Sequence, residues 1–220
     1  MSLQSNLSDI HKRIEAASQR AGRNKDDVTL ICVSKTIDAE VINEAVKLGE
    51  ATFGENRPQE LRDKLDKVKG ATWHLIGHLQ TNKVKYVVGK ASLIHSVDSV
   101  SLAKAIDERA SKEGIVQDIL LEVNISGEES KYGLTLGEIP NIIKEIESLQ
   151  NLNFKGFMTM APLGAPEDEI RGIFKKAHAL FKEYENHGAQ ILSMGMSGDF
   201  EIAVEEGATH VRVGSAIFKR

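Results

Sequence analysis

The sequence predicts a single α/β domain over residues 1–220, a closed (βα)8 barrel of the TIM type with an additional helix at its N-terminus. Two observations carry this. Short apolar runs alternate with amphipathic stretches along the whole chain, the pattern of βα units around a parallel sheet. Eight such runs are present, and eight repeats favour closure. The competitor is an open doubly wound sheet, but no Gly-x-Gly-x-x-Gly follows the first run, which weakens a dinucleotide-binding version of it. A length of 220 residues is ordinary for one α/β barrel.

In chain order, Leu3, Leu7, Ile10, Ile14, Ala17 and Ala21 recur at steps of three and four, giving a helix that Gly22 ends. The strands read as Thr29–Val33, Thr52–Gly54, Thr72–Ile76, Leu93–Val97, Asp118–Val123, Asn153–Phe157, Ile191–Ser193 and His210–Val213. Ser99 is placed to cap a helix over Leu102–Glu113, and Thr135 with Glu138 forms a capping box for a helix running toward Leu149. Asp98, just past a strand, reads as another cap. The chain stops at Arg220 soon after the eighth strand, so the N-terminal helix is expected to help cover that seam. The loosest stretches are Ala161–Pro166 and Ser126–Gly133, the second containing Lys131, to which no role is assigned. Both follow strands, where an α/β barrel carries its functional loops.

Composition narrows the function classes. Twenty-eight Lys and Arg against 32 Asp and Glu give a net charge of −4, and no basic block would track a phosphate backbone, so nucleic acid is not an expected partner. The single cysteine, Cys32, cannot form an intrachain disulfide and reads as a small buried hydrophobe. No apolar run approaches the length of a membrane helix and no signal pattern opens the chain, so a soluble, cytoplasmic protein without a membrane partner is expected, as a monomer.

The chemistry concentrates where strands end. Lys35 follows the continuous apolar run Thr29–Val33. A lysine beside buried β-structure is subject to desolvation, which favours the neutral, nucleophilic amine. Such lysines form Schiff bases with carbonyl compounds, pyridoxal phosphate being the commonest held this way. The stretch alone favours a surface lysine just past a strand, since fold position by itself does not give function. Met194-Gly195-Met196-Ser197-Gly198-Asp199 after the seventh strand and Val213-Gly214-Ser215-Ala216 after the eighth combine glycine backbone with serine hydroxyls, where barrels often bind phosphate. Gly195–Asp199 resembles a Gly-x-Ser-x-Gly nucleophile elbow, but Asp199 ends it and no partner histidine is assignable. His74 and His78 lie across a strand and its turn, unlike a helical metal pair, so no metal is expected. Trp73 and the Met158, Met160, Met194 and Met196 group read as barrel packing, those past the strand ends also as walls for a flat ring. Arg212 lies on the last strand beside the phosphate loop. It fits a partner for a pyridine nitrogen, and it fits equally an ion pair with a mouth carboxylate such as Glu201.

Together, Ser34-Lys35-Thr36, Phe53-Gly54-Glu55-Asn56, the run Trp73–Lys83 (WHLIGHLQTNK), Leu192–Ser197 (LSMGMS) and Val211–Phe218 (VRVGSAIF) resemble the YggS/PROSC family of pyridoxal phosphate homeostasis proteins over nearly the whole chain. The resemblance implies a fold-type III barrel like the N-terminal domain of alanine racemase, with pyridoxal 5'-phosphate, a form of vitamin B6, held as a Schiff base on Lys35. By the same matching, Ser197, Gly214 and Ser215 hold the phosphate, Asn56 lies near the ring and Arg212 faces the pyridine nitrogen; Met194, past a strand end, is also expected among the cofactor-binding residues. Apo forms of pyridoxal phosphate enzymes are the implied partners. The chain departs from the family pattern at Asp38, Arg57-Pro58, Tyr132 and Lys219, which bears on loop shape and partner surfaces.

Three functions follow in order. The first is a non-catalytic protein that buffers or delivers pyridoxal phosphate. The second is an amino-acid racemase, which needs a second base on the far face of the substrate that a lone barrel lacks. The third is a phosphosugar barrel enzyme using Lys35 as nucleophile.

Overall fold

The computed structural model describes residues 2–128 and 132–219. Helix α1 (Leu3–Arg20) begins where the Ser2 hydroxyl accepts the Ser5 N–H. The chain then alternates β1 (Thr29–Val33), α2 (Ala39–Lys47), β2 (Thr52–Glu55), α3 (Pro58–Leu65), β3 (Thr72–Leu75) and a 3-10 stretch (Thr81–Tyr86). There follow β4 (Leu93–Val97), α4 (Val100–Glu113), β5 (Gln117–Glu122), α5 (Ile139–Glu147), β6 (Leu152–Met158), α6 (Glu167–Glu183), β7 (Ile191–Ser193), α7 (Phe200–Glu205) and β8 (His210–Val213). Among the described residues the eight strands close into a parallel barrel in sequence order, β8 returning to β1 with Thr29 opposite His210 and Cys32 opposite Val213.

The strands fall where the apolar runs placed them, within a residue at each end. Ser99 caps α4 through the Leu102 N–H at 3.3 Å, whereas Asp98 instead pairs with His78 at 3.4 Å. The Thr135 N–H and hydroxyl both donate to Glu138 at 2.8 Å, opening a 3-10 turn that runs into α5. Pro58 occupies the first turn of α3, where its missing N–H costs nothing. No helix among the described residues is long and apolar enough to cross a membrane.

Side chains alternate across each strand, so residues two apart share a face. One face packs under the helices in a core that includes Cys32, Phe53, Leu75, Ile94, Leu121 and Phe157. The other face points into the barrel, where Leu93, Leu120 and Met158 form a small separate cluster and the remaining space is strongly polar. Burial pushes the Cys32 thiol far up, as its apolar setting suggested.

Helix α1 does cover the closing side of the barrel. Leu7, Ile10, Ile14 and Ala17 bury one face, the Asn6 amide donates to the Ile217 carbonyl at 2.8 Å, and Arg13 and Arg20 pair with Glu201 and Glu205 at 2.6 and 2.7 Å. At its other edge His11 meets Glu50 at 2.6 Å. The Glu50 contact raises the His11 pKa above its ordinary 6.5, against the opposing effect of partial burial. A histidine raised on folding contributes stability that is complete below 6.5 and is lost as pH climbs through the folded value. The stability gap between the native chain and His11→Gln, read by urea unfolding, should therefore be widest below pH 6.5 and close on the alkaline side; a gap constant up to about pH 9 would contradict the link.

Candidate cofactor-binding site

The turn that presents Lys35 is built with unusual care. Ser34 is fully buried, its N–H donating to the Gly54 carbonyl at 3.0 Å and its hydroxyl to Glu55 at 2.7 Å. The Lys64 ammonium, from α3, donates to the same Glu55 oxygen at 2.7 Å and to the Ser34 carbonyl at 2.8 Å. Burial raises the Glu55 carboxyl while Lys64 and Ser34 oppose it, and its second oxygen, Oε2, has no hydrogen-bond partner among the described residues. Thr36 then turns the chain with φ of 62°, the one positive φ among described non-glycine residues. For a β-branched residue this region costs on the order of 1–3 kcal/mol. The Thr36 N–H is held at 2.8 Å by Glu60, and the Ile37 N–H closes the turn on the Ser34 carbonyl at 3.0 Å. Lys35 itself is exposed. What distinguishes Lys35 is the turn beneath it.

Lys35 forms one wall of a cavity of about 520 Å³ at the carboxyl ends of the strands, within the usual size range of ligand pockets. Six of the seven residues expected at a site, Lys35, Asn56, Ser197, Arg212, Gly214 and Ser215, line this one cavity. The seventh, Met194, is fully buried in the main core, because its position alternates out of the barrel; Met196, two residues on, lines the cavity with Met160 and Ile76. The Gly214 N–H donates to the Ser197 hydroxyl at 3.2 Å, tying the two phosphate-type loops together. Glycine is required at two points. A Cβ on Gly77 would overlap the Asn56 carbonyl, and one on Gly214 would press on the Val33 carbonyl at 3.0 Å, so both allow strand ends to approach at the cavity wall. The helix after the first loop, α7, has six residues and the buried carboxyl of Asp199 at its head, so hydroxyls and backbone groups rather than a long helix are the donors this rim has to offer an anion. Burial raises the Asp199 pKa, opposed by the Met196 N–H and by Arg212.

The cavity floor is Arg212, 4% exposed. It does not meet Glu201, which faces outward to Arg13. Its guanidinium donates to the Ser193 hydroxyl at 2.6 Å and to the Thr159 carbonyl at 3.0 Å. Burial lowers its pKa to about 10, with Asp199 and Glu122 opposing. The same depth raises Glu122 to about 7, Asp98 adding to the rise and Arg212 resisting it. Below Arg212, Ser193 meets His95 Nδ1 at 3.1 Å, and His95 Nε2 meets His74 Nδ1 at 3.0 Å. Burial holds His95 well below 6.5 and lowers His74 to about 3 and His210 to about 4, so this is a column of neutral imidazoles. The arrangement that uses every proton runs one way: Arg212 donates to Ser193, Ser193 to His95, and His95 to His74.

Sequence reading missed this column. Its signal was present, since His74, His95, Ser193 and His210 occupy inward positions of strands whose neighbours are apolar, where a polar residue demands a partner. His74 and His78 serve different groups, His95 and Asp98. The departing Tyr132 stacks on His78 with ring centroids 4.2 Å apart, and Lys131 lies outside the described residues. Ser193→Ala should leave a buried guanidinium N–H unpaired and cost about 1.5–3 kcal/mol by urea unfolding, hydrogen bonds to charged groups falling in that range; an unchanged midpoint would remove Ser193 as the anchor of Arg212.

The donor set fits one kind of ligand: an amine for an aldehyde, hydroxyls and glycine N–H groups for a phosphate, apolar walls for a flat ring, and a donor-only guanidinium beneath. Comparisons with known proteins agree. The family model described as alanine racemase, N-terminal domain, matches residues 5–220. The pyridoxal phosphate homeostasis protein of Aquifex aeolicus is 44% identical over 217 residues, 96% of this chain and 95% of that protein. The structure of PipY from Synechococcus elongatus with PLP bound superposes with a TM-score of 0.84 at 33% identity, covering 99% of this chain and all of that one. An alanine racemase from Clostridium difficile is 14% identical with a TM-score of 0.77, covering 96% of this chain and 57% of that one, which shows a shared fold alone. The chain belongs to the alanine racemase N-terminal-domain family, in its branch of pyridoxal phosphate homeostasis proteins.

Proposed function

We propose that this chain binds pyridoxal 5'-phosphate and serves its homeostasis in the cytoplasm, buffering the cofactor or delivering it to apo forms of the enzymes that use it, with little turnover of its own. The observation that carries the reading is the convergence of Lys35, the Ser197 and Gly214-Ser215 loops and Arg212 on one cavity. The name of the Aquifex relative and the cofactor bound in PipY support it.

When bound, the cofactor supplies an aldehyde for a lysine and a ring able to draw electrons from an attached amine-bearing carbon. Lys35 offers the amine for a covalent link. Ser197, Ser215 and the backbone around Gly214 offer donors to the phosphate, and charge-assisted hydrogen bonds of this kind are roughly twice as strong as neutral ones, so the phosphate is the main handle. Asn56 would border the ring, and Ile76, Met160 and Met196, which line the same cavity, would serve as apolar walls.

Arg212 is assigned to the pyridine nitrogen, and that assignment sets the chemistry. Even with its pKa lowered to about 10 by burial, the guanidinium stays protonated near neutral pH and presents only donors. A carboxylate in its place would keep the ring nitrogen protonated and the ring strongly electron-withdrawing; an arginine leaves it weaker. Its hydrogen bonds to Ser193 and Thr159 hold it in place. The site thus grips the cofactor without priming it for removal of a proton from an amino-acid Cα.

Incubation of the loaded protein with L-alanine and other amino acids in deuterium oxide, followed by NMR of the Cα proton, tests this reading. A change in the visible spectrum with no Cα exchange is expected. Exchange at enzyme-like rates that vanishes on Lys35→Ala would overturn the carrier reading in favour of a racemase.

A further inference from the structure

We infer that Glu60 is a positioning residue for Lys35: by holding the Thr36 N–H, it keeps the strained left-handed turn in place and aims the lysine amine into the cavity. The inference rests on the proposed role of Lys35 as the point of covalent attachment.

The geometry leaves the turn few other supports on that side. A threonine pays for φ of 62° in steric crowding between its branched side chain and the backbone, against which the one local support is the Ile37 N–H bond to the Ser34 carbonyl. Strain of this kind persists where surrounding groups over-determine the backbone, and it gathers at functional sites. Here those groups are identifiable. The Glu60 carboxylate sits on α3, 24 residues along the chain, and takes the Thr36 N–H at 2.8 Å. Lys64, one helical turn further, lies 3.5 Å from Glu60 and fixes the Ser34 carbonyl and Glu55 on the near side of Lys35. Arg57 flanks Glu60 at 3.7 Å. Burial works against the charge on Glu60, yet the Thr36 N–H and the Lys64 ammonium hold its carboxyl below the ordinary range. The anion is therefore present to accept the Thr36 N–H at neutral pH. Lys35 is thus gripped on both flanks, through Ser34 and through Thr36, while its own side chain is left exposed.

Capture joins the Lys35 amine to the cofactor aldehyde carbon with loss of one water, so its rate depends on how often the amine faces the cavity. Without Glu60, Thr36 relaxes to a negative φ and the lysine swings with it. Glycine at that position reaches positive φ at no steric cost and needs no such hold.

The test measures the rate of borohydride-reducible capture of pyridoxal phosphate in the native chain, Glu60→Ala, Glu60→Gln and the double variant Thr36→Gly/Glu60→Ala, with the melting temperature of each. Glu60→Ala should slow capture by roughly tenfold or more, the factor expected when a strained backbone is let go. Glu60→Gln, whose amide oxygen still accepts the N–H, should stay within about threefold of the native rate, and Thr36→Gly should recover a large part of the loss in the Glu60→Ala background. Should Glu60→Ala not fold, Glu60→Asn, with a side chain too short to reach Thr36, gives the same reading. Native-rate capture by Glu60→Ala, or no recovery on Thr36→Gly, overturns the inference alone; melting temperatures that fall while capture is unchanged assign Glu60 a purely structural role and overturn it too. A native chain that captures nothing removes the proposed function, and the inference with it.

Discussion

A guanidinium buried at the centre of the barrel sets the terms for the residues around it. Arg212 is 4% exposed, yet its direct hydrogen-bond partners are a hydroxyl and a backbone carbonyl rather than a carboxylate. A buried cation of this kind is costly unless its donors are satisfied and counter-charge lies within reach. Asp199 and Glu122 provide that counter-charge, and both carry carboxyls raised by burial. The imidazoles beneath it are held neutral, because burial already disfavours their charged form and the cation adds to the effect on His95 and His210. Barrel interiors are usually layers of branched apolar side chains. Here the apolar part includes the small cluster of Leu93, Leu120 and Met158, and an ordered polar column lies beside it.

The two ends of the cavity are built differently, and the difference suits a cofactor that is held and passed on. The floor is rigid, since moving Arg212 would strip donors from Ser193 and Thr159 at once. The rim combines a clamped turn with an exposed lysine on one side and glycine- and serine-bearing loops on the other. An exposed amine is open to solvent and to competing amines, which favours exchange over permanent attachment. Carbanion chemistry would ask for the reverse, a protonated ring nitrogen and a sequestered reaction centre.

Much of this was legible in the sequence. The strands were found because parallel barrel strands are buried on both faces and read as continuous apolar runs. Boundaries shifted by a residue where hydrogen bonding extends a strand past its apolar stretch, as at Gln117, whose N–H bonds to the Asn151 carbonyl. The rim residues were legible because glycine, serine and lysine at strand ends have few structural reasons to be there. Met194 lies in the main core while Met196 lines the cavity, because the left-handed backbone at Gly195 (φ 89°) breaks the strand alternation between them, which no count along the sequence shows. The Glu55–Lys64–Ser34 and Thr36–Glu60 contacts were invisible for another reason. They join residues on β1, β2 and α3 whose meeting depends on how α3 packs, which no local pattern encodes.

The central claim is that Lys35, at the head of a clamped turn, is where this chain holds pyridoxal phosphate. Incubating the protein with the cofactor, reducing with borohydride and mapping the labelled peptide by mass spectrometry tests it most directly. The account predicts one stable adduct, on Lys35, lost in Lys35→Ala; a label on Lys83 or Lys131 with Lys35 unmodified would contradict it.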